Sequence, residues 1–127
     1  MIRNLMPLLL ASVISSPITP VLAEGLAPLK TREVQLTILT DPNEMTVYLF
    51  DKDTDGVSNC EGGCAKVWPP VRPTQDEVKV PLSVIIRKDK TRQLAFKQRP
   101  VYLYAGDEKP GEINGDGLDQ IWHVIHP

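Results

Sequence analysis

The sequence carries only two cysteines, two histidines and two tryptophans in 127 residues. It has no basic stripe and no run of lysines, which sets nucleic acid aside as a partner. No second hydrophobic segment approaches membrane length, so no transmembrane segment is expected once the N-terminal segment is removed. Ser58 and Ser83 lie in no nucleophile-elbow pattern, and no glycine-rich strand-to-helix turn offers a phosphate cradle. Cys-x-x-Cys-His does not occur, which excludes covalent c-type haem. A convincing amphipathic helix is also missing. These absences leave a chain with no catalytic constellation, and an enzyme is not the expected answer.

What is present begins with MIRNLMPLLLASVISSPITPVLA. Arg3 precedes an apolar run from Leu5 to Ile14, and Val21-Leu22-Ala23 fits a small-x-Ala cleavage site. The pattern predicts a secretory signal peptide over residues 1–23. A membrane anchor is the alternative, but the apolar run is too short to span, and Pro17 and Pro20 interrupt the residues after it. The expected mature chain, residues 24–127, is a single β domain, periplasmic or secreted. The removed segment carries one basic residue, so the mature chain is one unit more negative than the formal −2 of the whole.

The mature chain is a succession of short extended segments. VQLTILT alternates, placing Val34, Leu36 and Ile38 on one face of a half-buried strand. Asp41-Pro42-Asn43-Glu44 reads as a turn, and MTVYLF resumes the extended pattern, together a hairpin. Pro69 and Pro70 end any regular element at Trp68. Pro81 demotes part of VKVPLSVIIRK to an edge or a loop. RQLAFKQ and PVYLY read as strands, Gly106 to Gln120 as a polar loop, and IWHVIHP as a last strand; a short turn is expected around Glu61 to Val67. The fold class is all-β, a small sandwich or barrel with little helix.

An internal echo organises these segments. VYLF at Val47–Phe50 recurs as VYLY at Val101–Tyr104. Tyr48 precedes Trp68 by the same interval that separates Tyr102 from Trp122, and Asp53 aligns with Asp107 and Gly63 with Gly117. Matching anchors across equal loops predict two similar β units, about residues 45–70 and 99–124. Tyr48, Trp68, Tyr102 and Trp122 are the aromatic anchors, expected to pack as core with their polar tips satisfied.

The motif Tyr-x-(Phe/Trp/Tyr)-x-x-Asp thus occurs twice, at Tyr48–Asp53 and at Tyr102–Asp107. With SNCEGGCAKVWPP, RPVYLYAGDEKPGEINGDG and the closing WHVI, the chain resembles the bacterial family described as secreted repeats of unknown function, or predicted lipoproteins with that motif. It departs from the family pattern in lacking a lipidation cysteine. The resemblance implies export and a repeated β unit, and it supplies no activity.

The stretch DKDTDGVSNCEGGC holds the candidate chemistry. Asp51, Asp53, Asp55 and Gly56 match the opening of a calcium loop, but position 12 is Gly62 where a bidentate Glu belongs. A looser calcium site from Asp51, Asp53, Asp55 and Asn59 remains a candidate beside the simpler reading that these side chains cap turns. Cys60 and Cys64 read as a structural disulfide in an exported chain, with thiol exchange and a soft metal as alternatives. His123 with Met45, or with the cysteines, is an alternative copper or haem ligand set. The functional expectation is an exported, non-enzymatic binding or structural protein of the bacterial envelope, with an unidentified envelope protein or small ligand as partner. An envelope metal- or redox-handling protein is the alternative.

Overall fold

The computed structural model describes residues 28–30 and 36–127. The signal-peptide segment and Val34 lie outside the described residues. Gln35–Pro127 form one unit, and every strand and helical turn of the described residues belongs to it.

Five short strands and one helical turn are built from the β-branched and aromatic words of the sequence. They are β1 (Tyr48–Phe50), α1 (Gly63–Val67), β2 (Leu82–Ile86), β3 (Arg92–Phe96), β4 (Arg99–Pro100) and β5 (Trp122–Val124), with a 3₁₀ turn at Leu118–Gln120. β1 pairs antiparallel with β5, placing Tyr48 opposite Val124 and Phe50 opposite Trp122. The second sheet runs β2-β3-β4, also antiparallel. β2 starts directly after Pro81, as the proline requires, and lies at the edge of its sheet. The two-residue turn Lys97-Gln98 closes β3 onto β4 with φ of 48° and 69°. A turn with both central residues left-handed matches the twist of the strands it joins. The fold is therefore all-β with very little helix. Its two antiparallel sheets do not close among the described residues, so the barrel alternative is not realised.

The first expected strand differs from its sequence reading. Thr40 alone bridges to Thr46, and Leu36 is 61% exposed rather than facing inward. The turn after it forms as expected: Asp41 Oδ1 accepts the amides of Asn43 and Met45, both at 2.9 Å. Downstream of it the chain is buried on both faces. Val47 belongs to one apolar cluster with Val71, Val101 and Ile125, while Tyr48 and Phe50 belong to another with Trp68, Tyr102 and Trp122. Successive side chains of an extended chain point to opposite sides, so one segment serves both cores. PVYLY does the same in the second half: Val101 enters the first cluster and Tyr102 the second.

Candidate functional site

The two motif-bearing segments lie side by side. Tyr48 N–H donates to the Tyr102 carbonyl at 2.8 Å, and Tyr102 N–H returns the bond to Tyr48 at 3.0 Å. A reciprocal backbone pair places equally spaced residues on either side in equivalent surroundings. Asp51 N–H reaches the Ile121 carbonyl and Ala105 N–H reaches the Val67 carbonyl, both at 2.8 Å. Tyr48 bridges Val124, and Tyr102 bridges Pro70. The bonds match at a constant sequence offset.

The aromatic side chains follow the same rule. Trp68 and Trp122 stack on each other with centroids 3.7 Å apart and planes within 2°. Tyr104 stacks on the outer face of Trp68 at 4.4 Å, and Phe50 on that of Trp122 at 4.1 Å. Tyr48 meets Trp68 edge-on at 5.3 Å, as Tyr102 meets Trp122. Each such pair adds about 0.5–1.5 kcal/mol beyond the area it buries.

The hydroxyls are exchanged between the halves. Tyr48 donates to Asp107 Oδ2 at 2.6 Å, and Tyr102 donates to Asp53 Oδ2 at 2.7 Å. The other oxygen of each carboxylate holds its own loop: Asp53 Oδ1 accepts the Asn59 amide at 2.6 Å, and Asp107 Oδ1 the Asn114 amide at 2.9 Å. The side-chain amides of Asn59 and Asn114 return to the Lys52 and Gly106 carbonyls, residues just before each aspartate. Each loop is thus an aspartate-centred turn, locked to the tyrosine of the opposite half.

The two ends are braced differently. Around Tyr102 the chain of bonds is made by side chains. Its proton goes to Asp53, so Ser58 donates to the Tyr102 oxygen across 2.6 Å. Ser58 Oγ in turn accepts from the buried Arg87 at 2.9 Å, and Arg87 also donates to Gln93 Oε1 at 2.7 Å and to the Cys60 carbonyl. Burial raises the Asp53 carboxyl above its ordinary range, against the Tyr102 and Asn59 hydrogen bonds and the charges of Arg99 and Arg87. Around Tyr48 the partner is backbone: Gly115 N–H donates to its hydroxyl at 3.2 Å. Burial, reinforced by a carboxylate neighbour, raises the phenols of both tyrosines above their ordinary value. The Ser58–Tyr102–Asp53 chain is closed to a substrate, because all three residues are buried.

The residues singled out from sequence divide as follows. Cys60 and Cys64 are joined as a disulfide, which ties the end of the acidic loop to α1, directly before Trp68. Asp51, Asp53, Asp55 and Asn59 do not gather. Asp53 is committed to Tyr102 and Asn59, Asp55 is exposed, and Asp51 Oδ2 lies 2.7 Å from His123 Nε2. Among the described residues no three His, Cys, Asp or Glu side chains converge as metal ligands. Met45 is used through its amide, in the Asp41 turn. All four aromatic anchors, Tyr48, Trp68, Tyr102 and Trp122, lie in one buried cluster. Sequence reasoning missed Arg87, Gln93 and Gly115. A buried arginine leaves no local signal, whereas the equal Tyr-to-Asp interval in both motifs did hold the clue to the exchanged pairs.

The open side of the smaller apolar cluster forms a cleft of about 450 Å³, lined in part by Leu39, Val71, Val78, Leu82, Leu94 and Phe96. Thr40, Asp41, Thr74 and Gln75 add polar groups to its lining.

These reciprocal contacts define a repeat protein whose motif residues knit one half to the other. The family model described as a secreted repeat of unknown function matches residues 37–72 and again 83–126, and the chain belongs to that family. No curated protein and no solved structure matches it. The family is described as secreted, and no helix among the described residues is long and apolar enough to cross a membrane.

Proposed function

We propose that this chain is an exported binding or structural module of the bacterial envelope. In this reading residues 1–23 are a cleaved signal peptide, and the mature domain, with repeats near residues 45–70 and 99–124, works in the periplasm or the medium. The observation that carries the reading is where the motif's chemistry goes. Its tyrosines, aspartates and tryptophans satisfy one another in the interior. They build a rigid frame, and beside it lies an outward-facing apolar cleft. A cleft with apolar walls and a few polar groups suits a small apolar ligand or an apolar segment of an envelope protein.

The test is fluorescence titration of the purified chain with an anilinonaphthalene sulfonate dye. Saturable binding to the native protein is expected, lost in Val78→Glu, which places a charge in the cleft wall while leaving the aromatic frame intact. Unchanged binding in Val78→Glu, or no binding by the native chain, removes the cleft from the proposal.

A second reading, an envelope metal-handling protein, is favoured by one contact. Asp51 and His123, drawn from two separate candidate ligand sets, meet at the surface 2.7 Å apart. A carboxylate beside an imidazole suits Cu(II) or Zn(II) better than calcium. A copper-dependent rise in melting temperature that disappears in His123→Ala would turn the assignment to metal handling.

A further inference from the structure

The edge strand β2 is the part of the molecule whose hydrogen-bonding capacity is visibly unfinished. Among the described residues it pairs only with β3. The register shows which of its backbone groups face outward. Arg87 N–H donates to the Thr91 carbonyl and Lys97 N–H to the Pro81 carbonyl, both at 2.8 Å, so the inward ladder runs on the odd-numbered residues of β2. The opposite strand agrees: Leu94, the partner of Val84, spends its N–H on Val71 and its carbonyl on Val101, away from β2. In an antiparallel pair the alternate residues point their N–H and C=O to the far side. The N–H and C=O of Val84 and Ile86, and the carbonyl of Leu82, therefore face off the edge of the sheet. The Leu82 N–H is already used by the Lys79 carbonyl.

Natural edges are commonly guarded by a charge, a proline or a bulge within the strand. Leu82–Ile86 reads LSVII, with no charge and no proline. Its even-numbered side chains are apolar, Ile86 is 62% exposed, and Val80 just before the strand is 91% exposed.

We propose that β2 joins a second copy of this chain by antiparallel self-pairing centred on Val84. The sequence is self-complementary about that point. Val84 faces Val84 of the second copy, with each N–H donating to the other's carbonyl. Leu82 faces Ile86 of the second copy, and the free Ile86 N–H meets the free Leu82 carbonyl, twice by symmetry. No like charges are set opposite one another. Such cross-strand pairs are the unit by which sheets gain stability. A two-fold pairing of this kind is isologous and closes on itself, so it stops at a dimer. A perpendicular two-fold also keeps like faces on the same side, so the clefts that Leu82 lines in each copy would open on one surface. This inference goes beyond the cleft reading and stands without it.

Sedimentation equilibrium of the full exported chain over a wide concentration range is the test, with Val84→Pro and Ile86→Lys as variants. Proline at 84 deletes an N–H that the β2–β3 ladder does not use, and lysine at 86 replaces a side chain already in solvent. Near-UV circular dichroism of the stacked tryptophans reports that each variant is folded. A reversible monomer–dimer equilibrium is expected, weakened at least about tenfold by either substitution. If Val84→Pro loses the tryptophan signal, Ile86→Lys alone decides. A native chain that stays monomeric, that grows into higher assemblies, or whose dimer both folded variants leave unchanged overturns the proposal.

Discussion

Removing one oxygen atom tests the exchange of hydroxyls between the halves. In Tyr102→Phe the ring keeps its place against Trp122 and Phe50, and only the hydroxyl is lost. That hydroxyl lies in a fully buried side chain and holds Asp53 at 2.7 Å and Ser58 at 2.6 Å. Its loss leaves a buried carboxylate oxygen and a buried serine proton without their partner. A hydrogen bond to a charged group contributes about 1.5–3 kcal/mol, and an orphaned buried polar group costs about 1–3 kcal/mol. The expected destabilisation is roughly 2–3 kcal/mol, which for a unit of this size lowers the melting temperature by about 8–20 °C. Urea denaturation followed by tryptophan fluorescence measures it directly. A cycle with Asp53→Asn isolates the pair, since the two changes should be far from additive. Tyr48→Phe should cost less, because its second partner is a backbone amide at 3.2 Å rather than a side-chain network. A loss below about 0.5 kcal/mol for Tyr102→Phe, in the range of an ordinary surface substitution, would refute the view that the motif's hydroxyl fastens the halves together.

Gly115→Ala should be costly for a different reason. The added methyl would lie 2.7 Å from Trp68 Cη2 and 3.0 Å from Tyr48 Cε1, atoms held by the stack, so a loss of about 1–3 kcal/mol and an altered near-UV spectrum are expected. Stability should also fall in alkali. Tyr48 and Tyr102 have phenols raised by burial, so their contribution is complete below the unfolded value near 10 and is lost as pH rises through the folded values. Urea midpoints measured on either side of pH 10 should drop steeply for the native chain and less in the double Tyr→Phe variant; equal slopes would contradict this. The raised Asp53 carboxyl acts with the same sign at lower pH: its contribution is present below the ordinary carboxylate range and lost as pH rises through its folded value, so Asp53→Asn should flatten that limb of the stability profile. Replacing Cys60 and Cys64 by alanine should cost about 2 kcal/mol, as expected for so short a ring, and leave the far-UV spectrum unchanged.

Several features were legible without coordinates because they depend on neighbours in the chain. Pro42 and Asp41 wrote the first turn, Pro81 set the start of β2, and the short separation of Cys60 and Cys64 made their bond a local one. The tyrosine and tryptophan spacing revealed the repeated core. Other readings failed where burial overrides pattern. Leu36 fits an alternating strand, yet it is exposed, because among the described residues backbone pairing begins only at Leu39, which bonds to Ile125 and Val47. The aspartates of DKDTDGVSNC resemble the opening of a cation loop in spacing alone. Asp53 turns inward to a tyrosine from the other half, and Asp51 turns outward to His123. Spacing along a chain does not say which way a carboxylate points.

The sequence by itself determined an all-β domain of two like halves, each carrying a tyrosine, an aspartate turn and a tryptophan. Tertiary structure decided that each tyrosine serves the aspartate of the other half, that the two indoles stack face to face, and that Arg87 braces only one end. The reason is physical. Strand, turn and short ring are fixed by bonds and sterics within a few residues. The partner of a buried hydroxyl or guanidinium is chosen by whichever acceptor the folded chain brings into the same water-free space.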